Sequence, residues 1–375
     1  MSEIQRRLIT YCTNIHPAES WGETLSSLKR HLPKIKGAVS PDEPFPVGLR
    51  LSAAAVRSAT AQGPAAFSRW LDENGLFVPT LNIFPFGIFH GGRLKEQVYL
   101  PDWRCAQRCE YTTLAASLLA EWMPEGITGS LSTVPVSFGR HLGKDDLLAV
   151  RRNILKALAV LDRIYQEKGR DIVLALEPEP ACYLETTADL AIFLGRLELP
   201  PKLRQRLGIC LDCCHLAVEF EEPAEALALL RREGVPVAKV HVSSALRVQH
   251  ASRDLLVPFV EPCYLHQVVV RSAAGTLSRY RDLPYALMYH RGEEGDEWRC
   301  HFHIPLFMEE SGPYCTTRFF AEKLLPLLDP GILLEVETYS WQVLPQNLRG
   351  ETISEDVIKE LQWLQEETDA SHCRP

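Results

Sequence analysis

No apolar run in this 375-residue sequence approaches the roughly 18 residues a membrane span requires. The opening stretch MSEIQRRLITYC lacks the apolar segment of a secretory signal. Clustered Lys and Arg are missing too. The net charge is −8, and the most basic stretch, residues 29–36, reads as the solvated face of a short helix. That balance argues against a nucleic-acid surface, which needs concentrated positive charge. There is no P-loop, GxSxG or HExxH, no Gly-rich dinucleotide turn after the first strand, and no internal repeat. The eleven cysteines are scattered, and the lone CxxC of Cys210 and Cys213 has no second pair to complete a zinc site. Buried free thiols in a reducing, cytoplasmic setting are the expectation.

What the sequence does contain is alternation. Strand-like runs fall at residues 8–13, 47–51, 77–83, 126–132, 171–176, 208–211, 238–242 and 332–336. Helical patterns lie between and after them at 21–32, 53–74, 106–122, 144–168, 186–197, 223–234, 317–328 and 354–367. Eight strand–helix units predict a parallel sheet closed into a (β/α)₈ barrel, an α/β TIM-barrel fold occupying residues 1–368, with 369–375 as a frayed tail. Two stretches exceed a minimal barrel. Residues 85–103 form a long loop after the third strand. Residues 245–314, between the seventh strand and its helix, are too long for a connecting loop and read as a lid over the barrel mouth.

In such a barrel, functional side chains project from the C-terminal ends of the strands. The fifth strand ends LALEPEP, with Glu177 at its tip and Glu179 two residues on. The sixth runs into ICLDCCHLAVEF, giving Asp212 and His215; the seventh, AKVHVSSALR, ends near His241. The eighth, LLEVETYSW, carries Glu335 and Glu337 on one face by period-two alternation. One strand-terminal carboxylate is ordinarily a surface or capping group, and one His a hydrogen-bonded core group. Glu, Asp, His and Glu on four successive strands suit one divalent ion instead: Mn²⁺, Mg²⁺, Co²⁺, Fe²⁺ or Zn²⁺. A cation also removes the desolvation cost of burying carboxylates. His301 and His303 alternate onto one side of a lid strand, with His266 nearby, and solvent-facing alternation explains them equally well. His16 and Asn14 follow the first strand, and Asn82 and His90 the third; both pairs are pocket candidates. Tyr339 and Trp341 read either as a stacking wall or as packing under the last helix, and Cys213 and Cys214 as small core hydrophobes.

The pattern resembles the xylose isomerase-like TIM barrels, which include sugar isomerases and epimerases, inosose dehydratases and endonuclease IV. Glu177-Pro178 resembles their Glu-Pro strand ending, and Asp212, His215 and Glu219 their D-x-x-H-x-x-x-E run. His241 with Arg247 resembles the H-x₅-R spacing of ketose epimerases. The resemblance implies Glu177, Asp212, His241 and Glu337 as metal ligands, Glu337 matching the terminal ligand better than Glu335. Glu177 and Glu337 are then the catalytic base and acid, His215 supports the ligands or contacts substrate, and Arg247 contacts substrate; His16, Asn82 and His303 join the substrate contacts on their positions alone. His215 becomes a ligand only if a second metal binds. Longer phrases, LITYCTNIHPAESW, FPFGIFHGGRLKEQVYLPDW, GSLSTVPVSF, YLHQVVV, CHFHIPLF and LLEVETYSW, resemble the EboE family of the metabolite-traffic Ebo cluster. That implies a cyclitol-like or prenylated metabolite and association with other Ebo-cluster proteins. The activity implied is metal-dependent isomerisation or epimerisation of a polyhydroxy carbonyl compound through an enediolate. Inosose-type dehydration and non-catalytic metabolite binding are the alternatives.

Overall fold

The computed structural model describes residues 7–308 and 314–372. Eight parallel strands form the barrel: β1 (Ile9–Tyr11), β2 (Phe45–Arg50), β3 (Leu76–Asn82), β4 (Thr128–Thr133), β5 (Asp171–Leu176), β6 (Leu207–Asp212), β7 (Val237–Val242) and β13 (Leu333–Val336). Their order is β1-β13-β7-β6-β5-β4-β3-β2. The barrel closes between β1 and β2 through one bridge, Cys12 to Gly48, and through threonine side chains. The Thr10 hydroxyl donates to Pro46 O at 2.6 Å and accepts from Gly48 N at 3.1 Å, while Thr13 Oγ1 accepts from Arg50 N at 2.8 Å. Gly48 is required at this seam, because a Cβ there would lie 1.9 Å from Glu335 Oε1 and 2.6 Å from Tyr11 O.

Alternation divides each strand. One set of residues, including Leu81, Leu131, Leu174, Ile209, Leu211, Val240 and Leu334, is fully buried in the main core. The other set is small or polar and fills the barrel interior. Buried interior groups include Thr80, Ser130, Lys239, His241 and Glu335.

The helices surround this sheet, with three departures from the expected pattern. The first helix runs Trp21–Val39, straight through Pro33. Lys29 and Pro33 are exposed, so the carbonyl deprived of its donor lies on the side open to water, while Leu28, Leu32, Ile35 and Val39 keep the buried stripe continuous. The expected 53–74 helix is two helices, Ala53–Gln62 and Ala65–Glu73, separated at Gly63-Pro64, where Gly63 has φ 81°. The last helix spans Ile353–His372, so residues 369–372 continue it, and the rest of the expected tail lies outside the described residues.

Between β7 and β13 the chain builds a second sheet, a larger structure than a ribbon. Strands β8 (Ala245–Gln249), β9 (Val268–Arg271), β10 (Leu277–Tyr280), β11 (Glu297–His303) and β12 (Cys315–Thr316) pair in the order β10-β9-β11-β8-β12, all antiparallel. It has its own apolar core, including Val248, Phe259, Val270, Trp298, Cys300 and Phe302. On β11 the alternation sends Trp298, Cys300 and Phe302 into that core. Arg299 stacks 3.8 Å from the Phe220 ring centre and donates to Ala217 O at 2.6 Å, which docks the lid on the barrel. Every cysteine among the described residues is a free thiol. No described helix is long and apolar enough to cross a membrane.

Candidate metal centre

Parallel register sets Glu335 beside His241 and His241 beside Asp212 across β13, β7 and β6. Glu177 follows β5, and Glu337 follows β13. One ligand atom from each of Glu177, Asp212, His241 and Glu337 lies within 4.8 Å of the others, and all four residues are buried. His241 Nδ1 stands 3.1 Å from Glu177 Oε1, 3.3 Å from Glu337 Oε2 and 3.5 Å from Asp212 Oδ2.

Each member is held from behind. Glu335 Oε2 accepts from His241 Nε2 at 3.1 Å and from Lys239 Nζ at 2.5 Å, so His241 Nδ1 points into the cluster. Asp212 caps the short helix Cys213–Val218: its Oδ1 accepts from His215 N at 3.0 Å and from Ser243 Oγ at 2.8 Å, leaving Oδ2 for the cluster. Asn14 Nδ2 donates to Glu337 Oε1 at 2.7 Å.

Three carboxylates share this buried space with one imidazole, and positive charge is in short supply. Burial disfavours ionisation of Asp212, yet His215, His241 and His303 hold it well below its usual range. Glu337 is pushed well above its range by burial and by Glu177 and Asp212, against His241. Burial opposes a charge on His241, and Cys210 and Glu337 nevertheless raise it. Glu177 Oε2 and Asp212 Oδ2 are buried with no hydrogen-bond partner among the described residues. Unsatisfied buried oxygens, together with an imidazole nitrogen that gives up its proton on binding, are the donor set a divalent cation takes. The residues therefore fit a divalent metal ion.

The cluster opens into a cavity at the barrel mouth. Its floor carries Glu177, Glu179, His215, His301 and Glu337; its walls are largely Phe84, Phe89, Val98, Tyr264, Leu265 and Tyr339. Phe89, Tyr264 and Tyr339 contact one another with ring centres 5.2 to 5.4 Å apart. The loop after β3 is pinned to the lid by Lys95, whose Nζ donates to Tyr264 O at 2.6 Å, Asp282 Oδ2 at 2.7 Å and Glu261 O at 3.2 Å.

The other expected site residues divide. Asn82 and His215 line the cavity, as does Tyr339. His303 lies deeper, 3.7 Å from Glu337 Oε2. His16 is one that the structure does not bring to the cavity lining: it bonds Tyr11 Oη at 3.0 Å, stacks on His31 and lines a separate small cavity. Arg247 is another: β8 leads away from the mouth and sets its guanidinium 5.5 Å from the Phe319 ring, outside the cavity lining. His266 is structural, bonding His301 O and Glu261, and His90 bonds Asn14 O. Trp341 donates to Asp356 on the last helix at 2.8 Å. The sequence reading gave no role to Lys239, Ser243, Tyr99 or Gln267. The signal available for Lys239 was its alternation with His241, which puts a second cation on the interior face.

Solved structures share this architecture. An L-ribulose 3-epimerase superposes with a TM-score of 0.53 at 12% identity, over 98% of this chain and 96% of that one. A xylose isomerase-like TIM barrel protein from Mycobacterium smegmatis, in complex with magnesium, gives 0.54 at 12% identity over 99% of both chains. A D-allulose 3-epimerase from Methylomonas sp., in complex with D-allulose, gives 0.51 at 12% identity over 96% and 98%. The chain has the xylose isomerase-like TIM-barrel fold. No protein-family model matches the sequence, and comparison with curated proteins returns no match. At this identity the likeness carries the fold, and activity has to be argued from the site.

Proposed function

We propose that this chain is a divalent-metal-dependent isomerase or epimerase of a sugar- or cyclitol-like polyhydroxy carbonyl compound. The observation that carries the reading is the convergence of Glu177 and Glu337 on His241 Nδ1, at 3.1 and 3.3 Å, completed by Asp212 and open to the cavity. These four residues would hold the ion. A divalent cation there supplies Lewis acidity that makes the C–H beside a carbonyl acidic. Glu177 and Glu337 serve as the base and acid that take and return that proton through an enediolate. Asn14 fixes Glu337 from behind, Asp212 and His241 position the centre, and the lid and the aromatic walls keep water from the intermediate.

The aromatic and aliphatic walls favour a second reading beside this one. A ligand with a hydrocarbon face suits them better than one hydroxylated all round, which supports an EboE-type metabolite-traffic protein that holds a cyclitol-like or prenylated compound for other Ebo-cluster proteins, in the cytoplasm. Inosose-type dehydration would use the same proton abstraction.

The test is metal-loaded protein in ²H₂O with a panel of ketoses and cyclitols, followed by NMR. Deuterium incorporation beside the carbonyl is expected, and Glu177→Gln should slow it at least about 10²-fold and lower the bound metal. Tight binding without exchange across the panel would favour the traffic reading; neither exchange nor metal would sink both.

A further inference from the structure

A second group of potential ligands lies beside the first and shares no residue with it. Glu179, His215 and His301 each bring one ligand atom within 4.8 Å of the others. All three are buried and line the cavity floor.

The hydrogen bonds fix what these groups present. His215 Nδ1 faces Pro178 O at 3.0 Å, and a carbonyl can only accept, so Nδ1 carries the proton. His301 Nδ1 faces Gln267 Oε1 at 2.8 Å. The orientation of that amide is set by its other end. Gln267 Nε2 donates to Tyr99 Oη at 2.9 Å, Pro180 O at 3.0 Å and Glu179 Oε1 at 3.1 Å. His301 is therefore also protonated at Nδ1. The two Nε2 atoms, left with bare lone pairs, then face each other at 3.1 Å. Tyr339 Oη, 3.4 Å from His301 Nε2, can satisfy at most one of them. Glu179 is held through Oε1 by Tyr99 at 2.6 Å and by Gln267, while its Oε2 is buried without a partner among the described residues.

Two facing lone pairs repel, and either a proton or a metal ion held by both nitrogens relieves the contact. Ligand bonds of about 2.0–2.1 Å from two imidazoles to one ion place their nitrogens roughly 3 Å apart or slightly more. We infer that Glu179, His215 and His301 form a second metal site, a two-histidine, one-carboxylate set for a borderline dication such as Zn²⁺, Co²⁺ or Fe²⁺, with its remaining positions facing the cavity. The supporting shell is complete. Pro178 O orients one imidazole, and the single amide of Gln267 orients both the other imidazole and the carboxylate. Barrel and lid each contribute, His301 coming from β11 and the other two from the barrel. The site stands beside the proposed catalytic centre and does not depend on it.

The test counts ions. Chelated protein is titrated with Co²⁺, and bound cobalt per chain is read by native mass spectrometry and by visible absorption. Two ions are expected in the unaltered protein, and one in His301→Gln and in Glu179→Gln. A count of one in the unaltered protein overturns the inference and leaves the first centre standing; a proton shared between the two imidazoles would give that result. A count of zero overturns both. Two ions persisting in folded His301→Gln would overturn the ligand assignment. Should the variants fail to fold, the count on the unaltered protein decides.

Discussion

Lys239 and Glu335 are both fully buried beneath the candidate centre, with Nζ and Oε2 at 2.5 Å. Burial alone would neutralise either group. Instead Lys239 outweighs burial and brings Glu335 down to about 2, with His241 adding to the effect. A buried pair of this kind adds little net stability over an apolar pair, but breaking it leaves an uncompensated charge. Lys239→Met is therefore expected to destabilise the protein by about 3–5 kcal/mol. The double variant with Glu335→Gln should be less affected, by a coupling of about 1–3 kcal/mol. Urea unfolding of both variants checks this, and strictly additive effects would contradict it. At this scale the sequence was informative where period two applied: Glu335 and Glu337 share a face as expected. Which of the two joins the cluster turned on Lys239, whose partner lies across the strand pair and on no local pattern. Arg247 and His16 show the converse, since matching spacing to a known pattern does not fix which way a loop or lid strand carries a side chain.

The last helix, Ile353–His372, is tied to both the lid exit and the end of β13 through one carboxyl. Glu360 Oε1 accepts from Leu306 N at 3.0 Å and from Thr338 Oγ1 at 2.7 Å. Burial raises its pKa from 4.5 to about 7, against those two hydrogen bonds. The folded state then binds a proton that the unfolded state has released. The stability this group contributes is fully present below about pH 4.5 and is lost as pH rises through about 7. Glu360→Gln keeps the acceptor and cannot ionise. Its stability relative to the unaltered protein should grow between pH 5 and pH 8, by roughly 3 kcal/mol at most. Equal pH slopes in urea unfolding would exclude this. Long elements were legible because caps and stripes are local. The helix Lys144–Lys168, ending at Gly169 in the left-handed region, matches its expected span. Gly63-Pro64 was a stop signal inside an otherwise continuous apolar pattern, whereas nothing in the sequence around Pro33 said that its orphaned carbonyl would face water.

On the scale of the whole molecule, eight strand–helix units specify a parallel barrel because each apolar strand needs covering on one side and closure on the other. The lid was legible only as an excess of length. Its sheet depends on antiparallel partners drawn from five short strands, with a shift in register between Cys300 and His303, and pairing at that range leaves no local periodicity to read. Lys95 joins this lid to the loop after β3, although the two are far apart in the chain. Its three bonds work beside the backbone bonds of Leu94 N and Lys95 N to Cys263 O and that of Tyr264 Oη to Phe89 O, so together they tie the roof of the cavity across loop and lid. Lys95→Met removes a charge-assisted attachment of about 1.5–3 kcal/mol, enough for a tenfold or larger rise in the open population. Stopped-flow release of a bound ligand should quicken accordingly while the metal content holds; unchanged release would show that traffic passes elsewhere. Under the proposed function, this one ammonium group would act as a timer, helping to set how long a captive molecule stays inside.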